Sequence, residues 1–296
     1  MGLTYDLDEL GVRIPSKIMT HCRSVAESDY FKISYLIDAH GSAVQLGVHL
    51  YGGTGFRSVA EAESQDSPQL VILSVPTRLH LETLLEVTNK WSPRVFLIEK
   101  PFGSSSYEAK KMNEILQVQG AKVYVNYIRR YLPNFISLKS SPLFVNRGRL
   151  QSVSINGYGT LENIFSHFFD LLMYLESTSI LGLTKKSKSS SILGSINFRD
   201  SVSGVFFELN GVGQGIRECT MTLTYESIVI EMNSNGRCLE IWNTQGESIA
   251  VFNLNNSVFD SYQAIVLKRI ADEFALSEKN TSVADAIHIH EFIESI

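Results

Sequence analysis

The stretch Arg94-Val95-Phe96-Leu97-Ile98-Glu99-Lys100-Pro101-Phe102-Gly103 decides the fold. Val95 to Ile98 are all apolar, so the segment has no polar face, as a strand covered on both sides requires. It then stops on two charges and a proline. Ligands of open parallel sheets bind just outside the carboxyl ends of the strands. A lysine beside a glutamate at that edge is an unusual place for a charge that only confers solubility. Pro101 fixes the turn, and an X-Pro bond there is open to the cis form. An ordinary strand-to-helix loop with a solvent-facing Lys100 is the plain alternative.

Outward from this stretch, strand-like and helix-like segments alternate. Residues 32–37 and 69–75 are apolar and rich in strand formers, and 122–127 is the next such run. Residues 79–89 and 105–119 carry apolar side chains at helical spacing. This alternation predicts a parallel sheet of right-handed βαβ units. Beyond about Gly148 the pattern changes. A strand over 150–158 has turn residues at Asn156-Gly157, and 163–176 is helical. Short β-like runs follow at 191–198, 203–209, 218–225, 227–232, 238–243 and 248–252, joined by Gly and Asn turns, as in an antiparallel sheet. A long helix over 259–276 closes the pattern. The fold class is therefore α/β followed by α+β, with a nucleotide-type domain at 1–145 and a second domain at 146–296. The closing helix is free to pack back on the first domain.

The chain has 296 residues, 44 % hydrophobic and 19 % charged, with a formal net charge of −5. This excludes a disordered, collagenous or coiled-coil chain. Scattered Lys and Arg give no basic surface for nucleic acid or an anionic membrane. No apolar run reaches the roughly 18 residues of a membrane span, and the first 20 residues have no signal-peptide core. Three cysteines, Cys22, Cys219 and Cys238, show no metal-binding spacing, so no metal is expected and a reduced, cytoplasmic setting is. Lys185 to Ser191 reads as a solvated loop.

Three further constellations carry possible chemistry. On one helix, Asn163, His167 and Asp170 fall at i, i+4 and i+7 and share a face, which makes His167 an acid/base candidate. A core histidine satisfied by Asp170 is the bland reading. Val75-Pro76-Thr77-Arg78-Leu79-His80 follows a buried strand and opens a helix that Thr77 is placed to cap. In a dinucleotide fold this loop borders the cofactor. Asn126-Tyr127-Ile128-Arg129-Arg130 follows another strand, and its arginines suit phosphates or carboxylates, with a surface charge pair as the alternative. His288 and His290 read as a solvated helix end. His21, His40 and His49 have no evident partner.

Taken together, in order and spacing, Val75 to His80, Glu99-Lys100-Pro101, Asn126 to Arg130 and Ser166-His167-Phe168-Phe169-Asp170 resemble the Gfo/Idh/MocA oxidoreductases, the glucose-fructose oxidoreductase and inositol dehydrogenase group. The resemblance spans roughly residues 20 to 180. It implies a Rossmann domain that binds NAD or NADP and a second domain whose open sheet covers the substrate. It implies hydride transfer at a hydroxyl or keto carbon of a sugar, cyclitol or sugar nucleotide. Lys100 would contact the reacting hydroxyl, and His167 would be its acid/base partner across a cleft. Asp38 would bind the adenosine ribose, favouring NAD over NADP. Cofactor contacts would come also from Gly2, Val75, Pro76, Thr77, His80, Glu99, Lys100, Pro101 and Asn126. Substrate contacts would come from Lys100, Tyr127, Arg129, Arg130, Tyr158, Asn163 and His167. Many members carry Asp where this chain has Asn163. A homodimer or homotetramer through the second sheet is expected.

The start departs from that pattern. The family opens on a buried strand and a Gly-x-Gly-x-x-Gly turn, whereas this chain opens Met1-Gly2-Leu3-Thr4-Tyr5-Asp6. Gly11 to Ser16 keeps one glycine of three, with Arg13 where a small residue is needed. The first strand is central in the order 3-2-1-4-5-6, so the expected sheet is N-terminally incomplete. Its neighbours at 32–37 and 69–75 would then lack a partner, at about 1–3 kcal/mol per buried unpaired group. A non-catalytic sugar-sensing or scaffold relative, or an N-terminally truncated inactive form, is the alternative reading.

Overall fold

The computed structural model describes residues 17–62, 65–177, 194–199, 205–211, 218–276 and 282–295. Gly2, the segment 11–16 and the Lys185 to Ser191 loop lie outside the described residues. The chain divides into unit 1, residues 1–128 and 260–283, and unit 2, residues 129–259 and 284–296. The first crossing therefore falls at 128/129, where the sequence reading has it at 145/146.

Unit 1 begins with α1 (His21–Ala26), capped by the Thr20 hydroxyl, then β1 (Tyr35–Ile37), α2 (Gly41–Tyr51) and β2 (Thr54–Phe56). β3 (Leu70–Leu73), α3 (His80–Lys90), β4 (Val95–Ile98), α4 (Ser106–Gln119) and β5 (Lys122–Val125) follow. The pairing is parallel throughout, in two sheets, β1-β2 and β3-β4-β5. Among the described residues β1 pairs only with β2 and β3 only with β4, so the break lies between the two strands expected to flank it.

All four residues of β4 are buried, and Leu84, Val87, Ala109, Met112 and Leu116 of α3 and α4 are buried with them. Burial of this kind is worth about 1.5–3 kcal/mol for each large side chain. α4 starts where its chemistry dictates. The Ser105 hydroxyl accepts from Glu108 N at 3.2 Å, and the Glu108 carboxylate reaches back to Ser104 N at 2.9 Å. It ends on Gly120 in the left-handed region, φ 65°. α2 was not legible in the sequence, because its only buried residue is Gly47 and His40 makes no capping bond. Thr77 does not cap α3. It lies in a 3-10 turn, Thr77–Leu79, ahead of that helix, and neither the turn nor the helix has a side-chain cap. α9 (Tyr262–Leu276) also belongs to unit 1.

Unit 2 opens with a 3-10 turn at Ile128–Tyr131, then α5 (Pro133–Ser140), α6 (Pro142–Val145), β6 (Leu150–Gly157) and α7 (Ser166–Glu176). β7 (Gly194–Arg199), β8 (Phe206–Gly211), β9 (Thr220–Tyr225), β10 (Ile228–Asn233), β11 (Cys238–Asn243), β12 (Ser248–Asn253), α8 (Asn256–Phe259) and α10 (Ser282–Ser295) complete the order. Seven strands form one sheet in the order β12-β11-β10-β9-β6-β8-β7. Every pairing is antiparallel except β6 with β8. The period-2 pattern buries Val153, Ile155, Leu223, Ile230 and Ile241 on one face. Asn156 and Gly157 lie inside β6 rather than in a turn, and a Cβ on Gly157 would come within 3.2 Å of the Phe165 ring. Among the described residues no helix is long and apolar enough to cross a membrane.

Candidate functional site

The carboxyl ends of β3, β4 and β5 gather the residues singled out from the first half of the sequence. His80, at the start of α3, is fully buried. Its Nδ1 lies 3.1 Å from Phe102 O and its Nε2 3.0 Å from Val75 O. The side chain ties the loop after β3 to the loop after β4, and with both nitrogens so placed it positions loops rather than offering a group to a ligand. The Lys100–Pro101 bond between those ties is cis. Lys100 and Thr77 are half-buried, Pro76 is exposed, and Asp38 stands exposed just beyond the carboxyl end of β1. Asp38 Oδ1 accepts from His40 N at 2.8 Å, and Arg57 Nη2 reaches Ala39 O at 3.5 Å in the same loop.

Glu99 is the electrostatic centre of this edge, at 9 % exposure. His21 Nε2 lies 2.7 Å from its Oε1, Asn126 Nδ2 donates to the same oxygen at 2.8 Å, and Lys100 N donates to Oε2 at 3.3 Å. Gln263 of α9 accepts from Asn126 at 3.4 Å. Burial pushes the carboxyl up, but the His21 and Asn126 hydrogen bonds and the charge of His21 outweigh it and hold it at about 2. His21 is thus a site residue that the sequence reading passed over. Its partner is 78 residues away, so no local pattern marks it.

The second half of the predicted site lies in unit 2. The helix expected over 163–176 begins as a π-helical turn, Leu161–Phe165, with the Thr160 hydroxyl accepting from Asn163 N at 3.2 Å. Asn163 therefore lies in the wider turn, whereas His167 and Asp170 lie on α7. Asn163 is exposed, His167 half-buried and Asp170 fully buried. Both oxygens of Asp170 accept from Arg130. Arg130 donates through Nε to Oδ2 at 3.0 Å, through Nη2 to Oδ1, and through Nη2 to Asp285 Oδ2 at 2.9 Å. Burial opposes the charge on Arg130, but Asp170 and Asp285 more than offset it and hold the guanidinium well above its ordinary value. Arg130 is therefore core structure, and Tyr127 is likewise buried. Arg129 is also buried, so the two are no surface charge pair. Tyr158 is half-buried. His290 is buried within α10, not at a solvated end. Among the described residues no group of three or more His, Cys, Asp or Glu is placed to hold a metal.

Residues 16–127 match the oxidoreductase family with an NAD-binding Rossmann fold, GFO_IDH_MocA. The chain is 25 % identical over 188 residues to the rhizopine catabolism protein MocA of Rhizobium meliloti, a match that spans 56 % of this chain and 57 % of that relative. Two solved structures share the fold over nearly the whole length. One is a super-repressor mutant of Gal80p from Saccharomyces cerevisiae, with TM-score 0.74 and 14 % identity, over 93 % of this chain and 90 % of that one. The other is KijD10, a 3-ketoreductase from Actinomadura kijaniata in complex with TDP-benzene and NADP, with TM-score 0.74 and 11 % identity, over 94 % and 92 %.

Two outcomes follow from the buried charges. Glu99 is held below its ordinary 4.5, so the stability it contributes is complete above about pH 4.5 and is lost as pH falls toward 2. In urea unfolding, the stability gap between the wild type and Glu99→Gln is expected to shrink by about 3 kcal/mol between pH 5 and pH 2. Arg130→Ala leaves Asp170 buried and uncompensated and is expected to cost about 3–5 kcal/mol in the same measurement at pH 7.

Proposed function

We propose that this protein is an NAD-dependent oxidoreductase acting at a hydroxyl or keto carbon of a sugar, cyclitol or sugar nucleotide. The observation that carries this reading is the polar edge of unit 1, where Lys100 follows an ionised, fully hydrogen-bonded Glu99 at the carboxyl end of β4. The donor set suits a nicotinamide dinucleotide. Asp38 offers a carboxylate to the ribose diol, and the loops at Val75–Thr77 and Glu99–Pro101 border the nicotinamide end with Asn126. The cofactor, when bound, supplies the hydride-accepting ring. Lys100 holds the reacting hydroxyl on unit 1 and takes a share of its proton. His167 is the acid/base group on unit 2, with Asn163 and Tyr158 as further substrate contacts.

NAD is favoured because Asp38 repels a 2′-phosphate. Arg57 stands in the same loop region, so the carboxylate is what excludes NADP. The three cysteines are free, which supports a reducing, cytoplasmic setting. The open face of the unit 2 sheet carries Thr220, Thr222 and Thr224 of β9 and Val229 and Trp242 beside them, none of them buried. We assign this face to a second copy of the chain, and sedimentation equilibrium is expected to read a dimer or tetramer mass.

The likeness to Gal80p favours one other reading, a sugar-responsive protein without turnover, since a fold does not fix an activity. A calorimetric titration with NADH and NADPH, followed by hydride exchange over a panel of sugars, separates the two. NADH is expected to bind in the micromolar range and tighter than NADPH, with Asp38→Ala narrowing the difference. Lys100→Ala is expected to lower turnover by two or more orders of magnitude with the fold intact. A folded protein that binds neither nucleotide ends the oxidoreductase reading, and one that binds NADH without turning over any sugar selects the non-catalytic one.

A further inference from the structure

Adjacent arginines in the 3-10 turn at Ile128–Tyr131 have opposite fates. Arg130 is neutralised by two carboxylates. Arg129 is as deeply buried, at 8 % exposure, yet among the described residues no carboxylate oxygen forms an ion pair with it. Its Nη2 donates to the carbonyl of Asn235 at 3.3 Å, its guanidinium lies 4.8 Å from the centre of the Phe168 ring, and its buried Nε meets no acceptor. Asp170 acts on it only at a distance, because the oxygens of that residue are taken by Arg130. Burial lowers Arg129 to about 10, which leaves it a full cation at neutral pH.

A buried charge with no opposite charge is costly, and proteins pair such groups or reserve them for a ligand. The surroundings of Arg129 are arranged to hold it still. Phe168 lies along one side of it. On another is Gly236, whose φ of 97° lets the 234–236 turn approach so closely that a Cβ there would stand 3.5 Å from Nε. Asn134 pins the same turn through a 2.8 Å bond to Gly236 O, and Cys219 N donates to Asn235 Oδ1 at 2.8 Å. Phe168 directly follows His167 on α7, so this fixed cation belongs to the substrate half of the molecule. A guanidinium presents paired donors to an oxyanion, and such bonds are roughly twice as strong as neutral ones.

We propose that Arg129 is the anion-receiving group of unit 2, and that the sugar it takes carries an oxyanion, a carboxylate or a phosphate. The assignment rests on the reading that unit 2 holds the substrate.

The test follows the Arg129 side-chain Nε–H resonance of the full chain, identified by its loss in Arg129→Gln. Sodium glucuronate, glucose 6-phosphate and glucose are added in turn at constant ionic strength. At least one of the two charged sugars is expected to shift the resonance saturably and to bind tenfold or more tightly than glucose. Glucuronate alone marks the carboxylate, glucose 6-phosphate alone the phosphate. Arg129→Gln is expected to abolish that preference in calorimetry. No saturable shift with either charged sugar, an equal response to glucose, or a preference that survives Arg129→Gln overturns the proposal. A variant that is merely less stable but keeps the preference marks Arg129 as a strap for the 234–236 turn and overturns it too. NADH titrated into the same samples reports separately on the oxidoreductase reading.

Discussion

A carboxylate buried at the end of a strand has to be satisfied from all sides, and Glu99 draws its partners from three separate places in the chain. His21 comes from α1 and Asn126 from the end of β5, where Gln263 of α9 accepts from Asn126 in turn, while the third donor is the backbone of Lys100 itself. Losing any one leaves a charged group short of a hydrogen bond in a low-dielectric setting, where the cost is largest. α9 lies 136 or more residues beyond Asn126 in sequence, yet unit 1 includes it, and the Glu99 network is one physical reason it does. Ser282, which closes the same stretch of unit 1 beyond α9, accepts from Val125 N through its Oγ at 3.1 Å. The edge that carries Lys100 is therefore held by buried polar bonds rather than by loop packing alone.

Unit 2 uses the same device with the signs exchanged. There the buried centre is the cation Arg130, and the carboxylates come from α7 and α10. The ring of Phe292 on α10 meets Phe169 on α7 edge to face at 4.7 Å, so apolar packing and the ion pair fix the two helices together. Tyr225 of β9 donates its hydroxyl to Glu176 at the end of α7 at 2.6 Å, joining that helix to the sheet. His167 is carried on a helix whose direction is set at both ends.

Much of this was legible from local pattern. β4, β5, α3 and α4 announce themselves through runs of apolar residues and helical spacing, and the strands from β9 to β12 through short alternating runs. The resemblance rested on motifs at strand ends, and the family match over 16–127 bears it out. What the sequence hid depends on distance along the chain. His21 looked idle because Glu99 is 78 residues away, and the hold of Arg130 on both oxygens of Asp170 was hidden because the two are 40 residues apart. The π-helical turn at Leu161–Phe165 was invisible for a different reason. Its residues have ordinary helix-forming character, and the wider turn shows only when Thr160 caps Asn163.

The contrast between Arg129 and Arg130 shows where chemistry is to be sought in a fold that hosts both enzymes and regulators. Successive residues of a 3-10 turn point about 120° apart, so one side chain enters the α7–α10 core while its neighbour faces Phe168 and the 234–236 turn. Arg130 is fully accounted for by stability, since Asp170 and Asp285 both need it. Among the described residues Arg129 makes one backbone hydrogen bond and a ring contact, which a neutral side chain would supply without the penalty of a buried charge. A position where the fold retains a cation that its own stability does not require is a position shaped by something the protein binds.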